Sequence, residues 1–410
     1  MHYIKRSSIS SIQFLLKHFP CVVILGSRQV GKTTLIKQIL PHAPFFDLEK
    51  RSDFERISQD PDFFLSQYNN PIIIDEAQTL PEFFPALRIA IDEKRHKNGR
   101  FLISGSSSPD LLKHINESLA GRIAFFDLSG FSLEESWKLS ENPLYKYLTK
   151  KKTKDILNLK PHLSTKKLLE SCLFGSYPEA FLKHRKSPQT FALWMENYFQ
   201  SYIKRDIRNL FPGINIQNYQ RFVSMLAGAS GNILNTSEFA RSLDVSQPTA
   251  KSYFEIAHGT FVWRMLPSFQ KNITKRVTKM PKGHMRDTGL LNYILRNRDI
   301  SELQIHPTFG NIWETFIIES ILKGFQNQLL SVTPFYYRTN NGAEIDLILE
   351  GDFGVLPIEI KSGTTTPRKR LIALEQFVIE HKLPLGIVIN NAQEVVWLTK
   401  NIIQIPAGCL

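Results

Sequence analysis

At 410 residues the chain is too long for one core of ordinary size, so about two to four domains are expected. Hydrophobic residues at 42% and charged residues at 22% exclude a disordered chain. The excess of 51 Lys+Arg over 38 Asp+Glu, a net charge of +13, suits a polyanionic partner, nucleic acid (DNA) above all; the alternative is a solvated basic surface.

Cys21, Cys172 and Cys409 are few and far apart. They supply neither a zinc spacing nor a disulfide framework, and they fit a reducing cytoplasm. No unbroken apolar span is long enough to cross a bilayer, so a cytoplasmic protein with no membrane partner is expected.

Ile9, Ile12, Leu15 and Leu16 fall at helical spacing and predict one amphipathic helix ending near Phe19. Val22 to Leu25 then read as a buried strand, and Thr34 onward as a helix. Between them Gly26-Ser27-Arg28-Gln29-Val30-Gly31-Lys32-Thr33-Thr34 spells G-x-x-x-x-G-K-T, the phosphate-binding loop in its strand-to-helix context. Gly26 and Gly31 let the backbone curl so that its N–H groups face phosphate oxygens. Lys32 can neutralise the terminal phosphates of ATP, and the Thr33 hydroxyl can ligate Mg²⁺. A glycine-rich turn with a solvated lysine is the competing reading, disfavoured because the flanking elements match as well as the motif.

Pro71-Ile72-Ile73-Ile74-Asp75-Glu76 is an apolar run ending in two carboxylates, the Walker B form. Asp75 is placed to hold Mg²⁺ through water, and Glu76 to polarise the water that attacks the γ-phosphate. A further strand from Arg100 to Ser104 ends in a serine-rich stretch, in which Ser104 or Ser106 could orient that water. The alternative is a turn capping the helix that starts near Pro109. Arg122, ahead of a strand from Ile123 to Leu128, could be an arginine finger, in cis or from a neighbouring subunit of a homo-oligomer, or a plain surface arginine.

These runs, together with Ala77-Gln78, Leu119-Ala120-Gly121-Arg122 and Phe131-Ser132-Leu133-Glu134-Glu135, resemble the prokaryotic AAA-type ATPases of the AAA_14 kind. The likeness is to the group carrying a C-terminal domain of unknown function, DUF4143, and covers essentially the whole chain. It implies an α/β multidomain protein: a P-loop NTPase parallel sheet at 1–140, a helical lid or linker region at 141–230, a winged helix at 231–300, and a restriction-endonuclease-like domain at 301–410.

Within that frame, the lysine-rich stretch 145–167 reads as a solvated linker, with DNA contact second. Residues 168–229 read as helices whose Phe191, Trp194, Tyr198, Phe199 and Tyr202 pack a core. The resemblance includes the segment Tyr202-Ile203-Lys204-Arg205-Asp206-Ile207, for which the residues themselves suggest no chemistry. The run 235–254 has the cadence of a helix-turn-helix: Phe239, Ala240 and Leu243 buried, a turn near Asp244 to Ser246, then a second helix carrying Thr249, Lys251 and Ser252 outward. Wing strands are expected at 261–269 and 271–279. Such a module can read DNA or only pack. Residues 279–291 resemble the family's link into its last domain, with His284 where tyrosine is usual.

A second constellation follows a helix at 310–325. Asn341 opens a strand carrying Asp346, a turn spans Gly351 to Gly354, and Val355 to Lys361 returns with Glu359 and Lys361 on one face. Asp…Glu-x-Lys is the layout of the PD-(D/E)xK nucleases: Asp346 and Glu359 would hold Mg²⁺, and Lys361 would position the attacking water. Glu314 or Glu319 could complete the set. Two functions result. One is an ATPase acting on nucleic acid with a nuclease domain; the other is an ATP-driven switch whose last domain binds DNA or protein without cleaving.

Overall fold

Apolar runs buried on both faces suit the central strands of a parallel sheet, and the computed structural model builds its first unit on five parallel strands. The structure describes residues 3–106, 119, 121–270, 279–339 and 342–410. It divides into one unit of Met1–Phe131 with Ile256–Val262 and another of Ser132–Glu255 with Trp263–Leu410.

The first unit is built on β1 (Cys21–Gly26), β2 (Phe45–Asp47), β3 (Ile72–Asp75), β4 (Phe101–Ser106) and β5 (Ile123–Asp127), all parallel, in the order β2-β3-β4-β1-β5. Every residue of β1 and β3 is buried. Helices α1 (Ile9–His18), α2 (Lys32–Ile39) and α3 (Phe83–Glu93) flank the sheet. Phe83, Phe84 and Leu87 of α3 are fully buried in one cluster with Val23, Ile72, Ile74 and Ile103. Each such side chain contributes about 1.5–3 kcal/mol by leaving water. Because β4 lies between β1 and β3, the carboxyl ends of the phosphate-loop strand and the Walker B strand sit on either side of it, at one edge of the sheet.

The second unit begins with helices. The stretch 145–167 is no solvated linker. Leu144–Thr149 and Thr153–Leu157 are helical and bury Leu144, Tyr145, Leu148 and Ile156. Tyr145 packs so closely over Gly324 that a Cβ there would collide with its ring. Lys150, Lys151, Lys152 and Lys154 occupy the exposed side, so the lysines describe one face of a packed segment. Tyr202–Ile207 forms a π-helical turn, a geometry that no sequence periodicity announces.

Helices α4 (Ile216–Ala229), α5 (Thr236–Leu243) and α6 (Gln247–Gly259) follow. The turn between α5 and α6 is made by Asp244 in the left-handed region, and Ser246 Oγ accepts from the Thr249 N–H at 3.2 Å. Phe222, Phe239 and Phe254 meet edge to face behind it. A three-stranded antiparallel sheet of order β6-β8-β7 comprises β6 (Asn232–Ile233), β7 (Trp263–Leu266) and β8 (Lys282–Met285). The strand paired with β7 is therefore 282–285; of the strand expected at 271–279, residues 271–278 lie outside the described residues.

The chain ends in a six-stranded mixed sheet, β13-β14-β12-β11-β10-β9, with β9 (Thr333–Arg338), β10 (Glu344–Gly351), β11 (Gly354–Ile360), β12 (Gly386–Asn390), β13 (Val396–Trp397) and β14 (Ile402–Pro406). Helices α7 (Phe309–Asn327) and α8 (Ile372–Glu380) belong to the same region. Among the described residues no helix is long and apolar enough to cross a membrane.

Candidate functional site

The phosphate loop leaves β1 at Gly26 and enters α2 at Lys32. Gly31 caps the helix at φ +91°, and Gln29 also lies in the left-handed region, so the loop needs two backbone reversals in three residues. Gly26 is required by close approach: a Cβ there would run into the Leu128 carbonyl oxygen. Lys32 is buried, and its Nζ donates to the carbonyls of Gly26 (3.0 Å) and Ser27 (3.1 Å). Val30 is buried, Thr34 is exposed, and Arg28 reaches Glu49 at 3.3 Å. Arg6, which the sequence reading passed over, donates to the carbonyls of Val30 (2.8 Å) and Ser129 (2.7 Å). It ties the loop to the segment after β5. A lone arginine ahead of a helix carries no signal that would have revealed it.

Asp75 ends β3 with 1% of its surface exposed. Burial raises its pKa, while hydrogen bonds from Ser104 and Thr33 act against that rise. Thr33 of the phosphate loop thus lies beside Asp75 of Walker B, two oxygen donors suited to a hydrated Mg²⁺. Ser104 is fully buried, and its hydroxyl donates to the Asp75 carboxylate. The Ser106 side chain lies outside the described residues. Glu76 follows with a left-handed backbone (φ 53°), half buried, and its carboxylate accepts from Gln78 Nε2 at 2.6 Å. The left-handed turn swings Glu76 out of the strand direction, away from the buried position of Asp75.

Arg122 lies at the other end of the sheet. Ile123 pairs with Cys21, at the start of β1, five residues before Gly26. At about 3.3 Å per residue that is roughly 16 Å from the phosphate loop. That register sets Arg122 at the opposite end of the sheet from the phosphate loop. Arg122 instead makes a two-pronged ion pair with Asp92 of α3, at 2.7 and 2.9 Å, near the surface.

In the second unit the hairpin β10–β11 sets Asp346 opposite Glu359, since Leu347 pairs with Ile358. A register slip against β9 between Ile345 and Ile348 spans Asp346 and re-aims it. Its Oδ2 accepts from the Ile360 N–H at 2.7 Å and lies 3.5 Å from Lys361 Nζ, which in turn lies 2.5 Å from Glu359 Oε1. Asp346, Glu359 and Lys361 are therefore brought together, and Glu314 of α7 joins them. Glu319 does not: it is paired with Arg264, with Nη2 at 3.1 Å from Oε2. The sequence reading missed Lys282. From β8 its Nζ reaches Glu344 Oε1 at 2.6 Å, Glu314 Oε1 at 2.7 Å and Asp346 Oδ1 at 3.9 Å. Burial pushes the carboxyls of Glu314 and Glu359 up to about 8. His284, two residues on, is fully buried against Thr315, and burial holds its pKa well below the usual range. Among the described residues no three His, Cys, Asp or Glu side chains are arranged to hold a metal ion.

A phosphate loop, a Walker B aspartate beside its Thr33, and a sheet with one strand inserted between them define a P-loop ATPase of the AAA type. Residues 18–137 match the AAA domain family, 165–301 a domain of unknown function (DUF8612), and 309–410 a domain of unknown function (DUF4143). The chain is 32% identical over 406 residues to the uncharacterized proteins Rv2008c of Mycobacterium tuberculosis and Mb2031c of Mycobacterium bovis, covering 98% of this chain and 83% of theirs. It belongs to the family of these two proteins. A Walker-type ATPase of Pyrococcus abyssi is similar at 14% identity and a TM-score of 0.45, over 72% of this chain and 96% of that one. The RuvB Holliday junction branch migration motor of Thermotoga maritima is similar at 14% identity and a TM-score of 0.30, over 64% and 90%.

Proposed function

We propose that this chain is an ATP-driven switch of the cytoplasm that acts on nucleic acid, with a winged-helix middle and a nuclease-like last domain that binds without cleaving. The observation that carries the ATP-dependent half is the joined set Thr33, Asp75 and Ser104, with Glu76 alongside. Lys32 exchanges its carbonyl partners for phosphate oxygens, and the loop N–H groups receive the rest of the phosphate charge. Thr33 and Asp75 would hold Mg²⁺, which supplies neutralising charge on the phosphates. Glu76 takes the proton of the attacking water as general base. Arg122, set at the far end of its own sheet, serves the nucleotide of a second copy, so the working form is a homo-oligomer.

The experiment is steady-state ATP turnover with nucleotide affinity measured in parallel. Lys32→Ala should lose both. Glu76→Gln should keep affinity and hydrolyse at least about a hundredfold more slowly, the scale of a lost general base. Equal loss of both in Glu76→Gln would remove the general-base role.

The net charge of +13 supports nucleic acid as the partner. Binding of duplex or single-stranded DNA should fall steeply with salt and depend little on base sequence. No binding at low ionic strength would favour a protein partner. The juxtaposition of Asp346, Glu359 and Lys361 supports the PD-(D/E)xK layout. The buried lysine among these carboxylates is what favours binding over cleavage.

A further inference from the structure

We infer that Lys282 occupies the carboxylate cluster of the last domain as a built-in cation, taking the place a divalent metal would need and fastening the small antiparallel sheet to the six-stranded one. Three carboxyl groups from two elements, Glu314 on α7 and Glu344 and Asp346 on β10, face its ammonium at 2.7, 2.6 and 3.9 Å. The lysine is 3% exposed, so this is no flexible surface side chain.

Its backbone is fixed from both edges. Lys282 pairs with Leu266 of β7 on one side and Ile233 of β6 on the other. Gly283 lies against the Trp263 ring with no space for a Cβ, which keeps β8 seated on that residue. Asp346 Oδ2 accepts from the Ile360 N–H and faces Lys361, whose ammonium also meets Glu359 Oε1, while Glu359 Oε2 is buried without a hydrogen-bond partner. Two ammonium groups thus share the carboxylates that a metal would have to gather.

A hydrated divalent ion takes several carboxylate and water oxygens at about 2.0–2.6 Å. It cannot enter without expelling the Lys282 ammonium, because two cations within a few ångströms repel strongly in a buried setting. The inference holds whether or not the chain meets nucleic acid or hydrolyses ATP.

The test is Mn²⁺ binding to the full chain without nucleotide, followed by the electron paramagnetic resonance of free Mn²⁺. Wild type and Asp346→Asn should be alike, with no site tighter than roughly 1 mM that depends on Asp346. Lys282→Met, one atom shorter and uncharged, should gain one site at least about tenfold tighter, lost again when Asp346→Asn is added. A wild-type site removed by Asp346→Asn overturns the inference. So does a folded Lys282→Met that gains no site. Should Lys282→Met fail to fold, the wild-type and Asp346→Asn pair decides alone.

Discussion

Ser104→Ala removes a hydroxyl that is completely buried and points at a carboxylate that is 1% exposed. No water can take its place at such a position without a cavity, and a serine-to-alanine change opens almost none. Asp75 then retains the Thr33 hydrogen bond and loses the Ser104 one. A hydrogen bond to a charged group contributes about 1.5–3 kcal/mol, so Mg·ATP turnover should fall about tenfold to a hundredfold. The sign of the pH effect follows from the same contact. Burial already raises the Asp75 pKa and the Ser104 O–H opposes that rise. Without it the carboxyl protonates more readily, so the acid limb of the turnover profile moves to higher pH. The assay is ATP hydrolysis between pH 5 and 9 at saturating Mg²⁺, with nucleotide affinity measured at each pH. Wild-type turnover with an unmoved acid limb would refute the role given to Ser104. A uniform loss at every pH, with no movement of the limb, would assign Ser104 to packing instead.

Arg122→Ala should bind ATP normally and lose turnover roughly a thousandfold, the scale of a missing arginine finger. Mixing it with Glu76→Gln should restore activity, since each copy supplies what the other lacks; turnover at the wild-type rate in Arg122→Ala alone would end the reading. Glu359 gives a pH-dependent stability. Its carboxyl is raised from 4.5 to about 8 in the folded chain, so the stability it contributes is present below about 4.5 and is lost as pH rises through about 8. The melting temperature of wild type should therefore drop between pH 5 and 9 by more than that of Glu359→Gln, which differential scanning calorimetry would resolve. Parallel slopes for the two would contradict it.

The phosphate loop and Walker B strand were legible because their chemistry fixes residue types at fixed local spacing. A backbone curl needs Gly31, a phosphate needs Lys32, and a buried run needs to end on Asp75. β2 was not, since Phe45–Asp47 is too short to show a period. Around 144–157 the lysines of the exposed side masked the apolar positions Leu144, Tyr145 and Leu148 of one short helix and Ile156 of the next. The Asp346, Glu359 and Lys361 grouping could be read because a hairpin brings near neighbours together. Lys282 could not. It lies 62 residues before Glu344 and arrives through the pairing of β8 with β6 and β7.

Lys32 and Lys282, two of the lysines buried among the described residues, are set against different partners, and the difference bears on what each can exchange. Lys32 rests on the carbonyl oxygens of Gly26 and Ser27, which are uncharged. Exchanging these for a phosphate oxygen trades a neutral acceptor for an anionic one, and charge-assisted hydrogen bonds are roughly twice as strong as neutral ones. The exchange runs downhill when ATP arrives. Lys282 rests on the carboxyl groups of Glu314 and Glu344, with Asp346 at 3.9 Å, and Asp346 also meets a second ammonium in Lys361. A divalent cation gains the same oxygens only by expelling a buried ammonium into solvent and parting a buried ion pair, a rupture that costs about 3–5 kcal/mol when one partner is removed. The same side chain is poised for exchange in the first unit and locked in the second, so ATP can act on a phosphate loop built to yield while the last domain keeps its structure.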